Sequence, residues 1–156
     1  MRIKHCIILP LFSIVLMLGM ACCSSDGCLD NGSSIPKADF YTNGTQVTVD
    51  STTVRGIGAP GDSCIIKNES VKSIYLPLRA TSTSCQFEIN FSESTIKDTI
   101  SFVYTSTPVF VSSDCGAMYN FEIKSCTSTH NVIDSVQVMR TTVTNVDQTT
   151  LKIHLR

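Results

Sequence analysis

The sequence predicts an all-β fold, a two-sheet antiparallel β-sandwich of about seven to nine strands. Serine and threonine supply 37 of the 135 residues from Cys22 to Arg156, and Val and Ile are frequent. Threonine and the β-branched aliphatic residues favour a pleated surface. Turn signals recur about every eight to twelve residues, and several segments between them alternate apolar and polar side chains.

The N-terminus predicts a cleaved lipoprotein signal peptide over residues 1–21. A basic start is followed by an uncharged, mostly apolar stretch of about 16 residues up to Ala21, short of the roughly 20 that a membrane-spanning helix needs. Gly19-Met20-Ala21-Cys22 resembles a bacterial lipobox, which makes Cys22 the predicted lipid anchor. Two alternatives remain: Cys22 ends an ordinary signal, or Cys23 is the modified residue.

Residues 22–34 are rich in Ser, Asp, Gly and Asn, which predicts a flexible tether. The length of the remainder, residues 35–156, predicts a single domain. Without the signal peptide, 10 basic residues face 13 acidic ones. Nucleic acids and anionic lipid surfaces select clustered Lys and Arg, and the sequence has no such cluster. We therefore expect no nucleic-acid partner.

The cysteines of the exported chain predict disulfides or buried thiols. The candidate disulfide residues are Cys28, Cys64, Cys85, Cys115 and Cys126. With Cys23 included, six cysteines allow 15 connectivities, so the spacing does not fix the pairing. A zinc site is the alternative, but no Cys-x-x-Cys occurs and two histidines remain. We predict no metal site and no cofactor.

The first half of the domain predicts short strands separated by turns. Strands at 38–41 and 46–49 flank Asn43-Gly44, a hairpin signal because both residues tolerate positive φ. A strand at 52–57 then runs into a turn cluster at 58–62. Strands at 64–66 and 71–76 are predicted on either side of a turn at 67–70, and Pro77 ends the second.

The second half contains the clearest period-two segments. The apolar members predict one buried face on each of four strands. These members are Cys85, Phe87, Ile89 and Phe91; Ile100, Phe102 and Tyr104; Tyr119, Phe121 and Ile123; and Leu151, Ile153 and Leu155. The stretch 133–143 predicts either one bent strand or a strand pair.

Several short motifs, in their order and spacing, resemble a family of small Bacteroidota lipoproteins of unknown function. They are Cys28-Leu29, Phe40-Tyr41, Leu76-Pro77-Leu78, Asp98-Thr99 with Tyr104, Phe110-Val111-Ser112 before Asp114-Cys115-Gly116, and Thr129-His130 with Ile133-Asp134. The resemblance implies an immunoglobulin-like domain on an outer-membrane lipoprotein with no known activity. Cys64, Cys85 and Cys126 depart from the family pattern, so the resemblance does not supply a disulfide.

Catalytic motifs are weak throughout the sequence. Ser113, Asp114 and His130 are not part of a nucleophile-elbow motif. A second candidate is Cys115 as a nucleophile with His130 as its base, but the sequence favours a structural role for Cys115. We predict no catalytic residues. The expected function is a lipid-anchored, non-enzymatic envelope protein that serves as an interaction or accessory subunit of another outer-membrane or periplasmic protein. The alternative is a glycan- or peptide-binding module, although the chain has no Trp to form a sugar platform.

Overall fold

The computed structural model describes residues 34–91, 96–112 and 116–156, and these form the predicted all-β, two-sheet sandwich. The eleven strands are β1 (Lys37–Thr42), β2 (Thr45–Gln46), β3 (Val49–Gly56), β4 (Cys64–Val71), β5 (Ser73–Tyr75), β6 (Ser84–Asn90), β7 (Lys97–Ser112), β8 (Gly116–Ser128), β9 (Ile133–Val138), β10 (Thr142–Val143) and β11 (Thr149–Leu155). The predicted signal peptide and all of the tether except Ser34 lie outside the described residues.

The strands divide into a five-stranded and a six-stranded sheet. The first sheet has the order β2-β1-β11-β9, and β5 also pairs with β1. The second has the order β10-β8-β7-β6-β3-β4. Eight strands have six or more residues, in line with the predicted seven to nine, and β2, β5 and β10 are short additions.

The core lies between the sheets and is built from the predicted period-two faces. Its fully buried side chains include Phe40, Ile74, Leu151 and Ile153 from the first sheet and Val54, Ile89, Ile100, Phe102 and Tyr104 from the second. Aromatic rings meet edge to face, as in the Phe87–Phe102 pair, whose centroids are 6.0 Å apart. This geometry matches the negative face of one ring with the positive edge of the other.

The Asn43-Gly44 hairpin is confirmed. The two residues have φ angles of 52° and 78°, and Thr42 pairs with Thr45 across the turn. Positive φ at both central residues matches the right-handed twist of the flanking strands.

The structure corrects two expectations for the strands and decides between the two alternatives for the stretch 133–143, which forms two strands. The pair β1–β11 is parallel, so the sandwich is not wholly antiparallel. The predicted turn at 67–70 lies inside β4, where Asn68 adopts a φ of 53° and the register with β3 shifts. The stretch 133–143 is divided between β9 and β10, which belong to different sheets.

Candidate interaction surfaces

The outer edge of β9 is a regular backbone edge. Strand β9 is the last strand of its sheet and pairs with β11 on one side only, within the described part of the chain. Its register is unbroken from Val138 to Ser135. Ser135 and Gln137 are exposed, whereas Val136 and Val138 pack against the core. A regular edge without lysine or proline can accept a further strand.

The edge at β4 has the features that prevent strand addition. Its pairing with β3 shifts register at three points, and Asn68 stands in the left-handed region. Lys67 and Glu69 are exposed beside it. Bulges and charged side chains interrupt a continuous edge. The β9 edge and the β4 edge therefore differ in their capacity to pair.

The solvent face of the first sheet carries two tyrosines whose rings are covered by lysines. The Lys152 Nζ lies 4.8 Å from the centroid of Tyr41, and the Lys37 Nζ lies 5.6 Å from that of Tyr75. Each ammonium is held over the ring face by its electrostatic attraction to the π-system. On each tyrosine ring, the face beneath the lysine is thus not open as a stacking platform for a sugar.

The far end of the β7–β8 hairpin presents an uncovered apolar face. Pro108 pairs with Tyr119, and Phe110 pairs with Ala117, so the four side chains share one side of the hairpin. We call these four residues the hairpin end. Phe110 is 73% exposed and Tyr119 43% exposed.

A groove of about 270 Å³ lies beside the hairpin end. Its walls include Ile35, Leu78, Met118 and Tyr119. The alternation in the sequence predicts Tyr119 as a core residue, and its exposure is a correction. The pattern that could have located this surface is the continued alternation of Pro108 and Phe110 beyond Tyr104.

Asp98 is a fully buried carboxylate with a structural role. Its Oδ1 accepts hydrogen bonds from the Thr129 hydroxyl at 2.7 Å and the Asn131 N–H at 2.8 Å. Its Oδ2 accepts from the N–H groups of Val132 at 2.7 Å and Ile133 at 2.9 Å. These bonds fix the chain between β8 and β9, where it crosses from one sheet to the other.

A second carboxylate, Asp39, links three strands of the first sheet. Its Oδ1 accepts from the Ser73 hydroxyl and its Oδ2 from the Thr149 hydroxyl, both at 2.6 Å. Since Ser73 lies in β5 and Thr149 in β11, Asp39 on β1 ties both neighbours to one strand. Its two oxygens are thereby committed to structural bonds.

The candidate disulfide cysteines separate into two groups. Cys64, Cys85 and Cys126 are free thiols, and Cys28 and Cys115 lie outside the described residues. Cys85 and Cys126 both pair with Phe102, one from each neighbouring strand. Two strand spacings total about 9.6 Å, beyond the reach of a disulfide.

The two inner thiols are poor nucleophiles. Burial, reinforced by the neighbouring Cys85 thiol, raises the pKa of Cys126 to about 12. Burial also raises the pKa of Cys85, although the Tyr104 hydroxyl and Arg79 oppose this. A thiol attacks as its thiolate, so a raised pKa lowers its reactivity.

The candidate catalytic residues do not assemble into a described site. His130 is exposed, between two residues that bond to Asp98, and Ser113, Asp114 and Cys115 lie outside the described residues. No cluster of three or more His, Cys, Asp or Glu side chains able to hold a metal ion occurs within 34–91, 96–112 and 116–156.

The family of unknown function DUF6452 matches residues 51–155. The chain belongs to this family. The match runs from β3 to the end of β11, so the strands of the DUF6452 region include the β4 and β9 edges and both strands of the β7–β8 hairpin. The predicted resemblance is confirmed at the level of a family of unknown function. No curated protein and no solved structure shows significant similarity to the chain.

A helix long and apolar enough to cross a membrane does not occur in the described ranges.

Proposed function

We propose that this protein is a lipid-anchored, non-enzymatic envelope protein of the Bacteroidota outer membrane that acts as an accessory subunit of another envelope protein. The observation that carries the proposal is the regular outer edge of β9, with which no strand of the described residues 34–91, 96–112 and 116–156 pairs. Its partner contributes an extended segment that pairs with β9 and enlarges the first sheet.

Strand addition suits β9 because the main-chain groups of an edge strand supply the affinity and the alternating side chains supply the specificity. Ser135 and Gln137 are exposed along this edge. They are small or uncharged, so they impose neither repulsion nor a large desolvation penalty on an approaching strand.

The anchor in this proposal is the lipidated Cys22. Eleven residues separate Cys22 from Ser34, where the described domain begins. Two or three acyl chains at Cys22 give durable attachment, because each buried methylene contributes about 0.8 kcal/mol.

A peptide-binding module is the second candidate, and the same β9 edge favours it. A periplasmic peptide and a segment of a permanent partner would pair with this edge in the same way. Glycan binding is less well supported, because Lys152 and Lys37 cover the rings of Tyr41 and Tyr75.

The first experiment is affinity purification of the acylated protein from gently solubilised membranes, followed by mass spectrometry. We expect one stoichiometric envelope protein with the wild type. Cys22→Ala removes the anchor and should abolish recovery of that partner protein from the membrane fraction. Absence of any protein above the Cys22→Ala background would contradict the accessory role and leave the peptide as the remaining candidate for the edge.

A pair of lysine variants locates the contact. Ser135→Lys with Gln137→Lys places two charges along the β9 edge, where lysines oppose strand addition. Thr105→Lys with Thr107→Lys adds the same charge at exposed positions of the second sheet. We expect at least about tenfold lower partner recovery with the β9 pair alone. Equal recovery with both pairs would exclude β9 as the docking edge.

A further inference from the structure

We propose that the hairpin end, Pro108, Phe110, Ala117 and Tyr119, is a second membrane contact that enters the boundary between lipid headgroups and acyl chains beside the anchor. The inference rests on the proposed function for one element, the lipidated Cys22. The hairpin end belongs to β7 and β8 of the second sheet and shares no residue with the β9 edge.

The apolar face of the hairpin end is the continuation of the core face of β7. Along that face Phe102 and Tyr104 are buried, Ser106 is partly buried, and Phe110 is 73% exposed. The alternation therefore continues past the point where the first sheet covers it. An aromatic ring that is mostly exposed contributes little to the core. Exposed apolar patches mark protein or membrane contacts.

The composition of this region suits insertion of apolar and aromatic side chains into an uncharged lipid surface. Between Thr105 and Phe121 the sequence contains a single charged residue, Asp114, and no lysine or arginine. Aromatic side chains of mixed polarity such as Tyr119 are enriched at the level of the lipid headgroups.

The first residues of the described chain lie beside the hairpin end. The Ser34 hydroxyl donates a 3.1 Å hydrogen bond to the Asn120 Oδ1, next to Tyr119. Ile35 lines the groove that Tyr119 also lines. Eleven residues separate Cys22 from Ser34, and even a fully extended chain of that length reaches no more than roughly 40 Å. A lipidated Cys22 would therefore hold Ser34 within that distance of the bilayer.

Tryptophan fluorescence provides a direct test, since the chain contains no Trp. Phe110→Trp puts a single reporter in the hairpin end. Val103→Trp is the matched control, because Val103 is a 48% exposed apolar residue on the opposite face of the same strand. The acylated full-length variants are reconstituted into uncharged phosphatidylethanolamine–phosphatidylcholine vesicles, with or without bromine on the acyl chains.

We expect brominated lipid to quench the fluorescence of the Phe110→Trp variant at least about twofold, with a blue-shifted emission, and to leave that of Val103→Trp unchanged. Equal emission of the Phe110→Trp variant in brominated and ordinary vesicles would overturn the inference. A blue shift without bromine quenching that arises only when a co-purified protein is added would assign the hairpin end to that protein instead.

Mass spectrometry of the N-terminal peptide separates this result from a failure of the proposed anchor. If Cys22 carries no lipid, the anchor is refuted, and the same unacylated variants are titrated with vesicles. Bromine quenching of the Phe110→Trp variant in that titration would still support the membrane contact, and its absence at saturating lipid would refute it.

Discussion

At the scale of single residues, Asp98 combines full burial with four hydrogen bonds. A buried carboxylate is costly unless its lone pairs are satisfied. Three main-chain N–H groups and one hydroxyl satisfy those of Asp98. The crossing between the sheets therefore depends on the Asp98 side chain. The sequence contains the Asp98-Thr99 and Thr129-His130 motifs, but it does not show that the two motifs lie together.

Asp98→Asn should destabilise the domain by about 3 kcal/mol, because the new amide NH₂ faces donors and leaves at least one of them unsatisfied. Asp134→Asn is the control at an exposed position of β9 and should change stability by less than about 0.5 kcal/mol. Urea unfolding followed by circular dichroism measures both. Equal midpoints for the two variants would refute the structural role of Asp98.

The stability of the wild type should fall at acid pH through Asp98. Burial alone would raise its pKa, but the N–H groups of Asn131, Ile133 and Val132 and the Thr129 hydroxyl outweigh burial and lower the pKa below its ordinary value of 3.8. A carboxyl group with a lowered folded-state pKa stabilises the protein above the unfolded-state pKa, near pH 4.

That stabilisation is lost as the pH falls through the folded-state pKa. Urea midpoints measured from about pH 6 down to about pH 2 should therefore decline more steeply for the wild type than for Asp98→Asn. Parallel curves for the two proteins would show that Asp98 does not titrate with unfolding.

Of the three described thiols, Cys64 and Cys126 should be alkylated at very different rates. At pH 8 the exposed Cys64 should be alkylated rapidly, and Cys126, with a pKa raised to about 12 by burial and the neighbouring Cys85, at least about a hundredfold more slowly. Peptide-resolved mass spectrometry of the folded protein measures each rate, and urea-unfolded protein supplies the reference. Rapid labelling of folded Cys126 would contradict the burial of this thiol and would support a thiol-based chemistry.

At the scale of elements, β7 contains a buried and an exposed phenylalanine on the same face. Phe102 is 1% exposed and Phe110 73% exposed. Phe102→Ala should cost about 3–5 kcal/mol, whereas Phe110→Ala should stay within about 0.5 kcal/mol. Urea unfolding in the absence of lipid measures both. A loss at Phe110 comparable to that at Phe102 would mean that the chain itself covers the hairpin end in solution.

The same strand shows what a sequence pattern can and cannot predict. Alternation predicts which side of β7 faces inward, and Ile100, Phe102 and Tyr104 are buried as predicted. It does not predict how far the opposite sheet reaches, so it places Tyr119 in the core although this residue is 43% exposed. Side-chain direction is a local property of the strand, whereas coverage depends on the length of a distant element.

Two further elements show the limit of local patterns. Lys67 to Ser70 has the composition of a turn, yet it continues β4, because pairing with β3 and the left-handed Asn68 accommodate it as an irregular strand. The parallel pairing of β1 with β11 joins residues more than a hundred positions apart. Such pairing leaves no signature within either strand. The position of β9 at the edge of its sheet can likewise be recognised only from the order of the strands in the folded protein.

At the scale of the whole molecule, β1 is an interior strand of the first sheet although it lies outside the region matched by the family. It pairs with β11, β2 and β5, and its Ala38 and Phe40 side chains are fully buried. The Phe40 ring meets Phe91 of the segment after β6 edge to face, with centroids 6.0 Å apart. The first strand thus holds together both the sheet and part of the core.

A chain that starts at Ser34 should fold, whereas a chain that starts at Ser51, the beginning of the family match, should not. Loss of Phe40 alone costs about 3–5 kcal/mol, and the missing strand also leaves β5 and one side of β11 unpaired. Because domains of this size are stable by about 5–15 kcal/mol, these losses together approach the whole stability. Urea unfolding followed by circular dichroism, and dispersion of amide proton resonances, distinguish the two chains. Cooperative unfolding of the shorter chain would show that the family's core is complete without β1, and that the first sheet tolerates the loss of an interior strand.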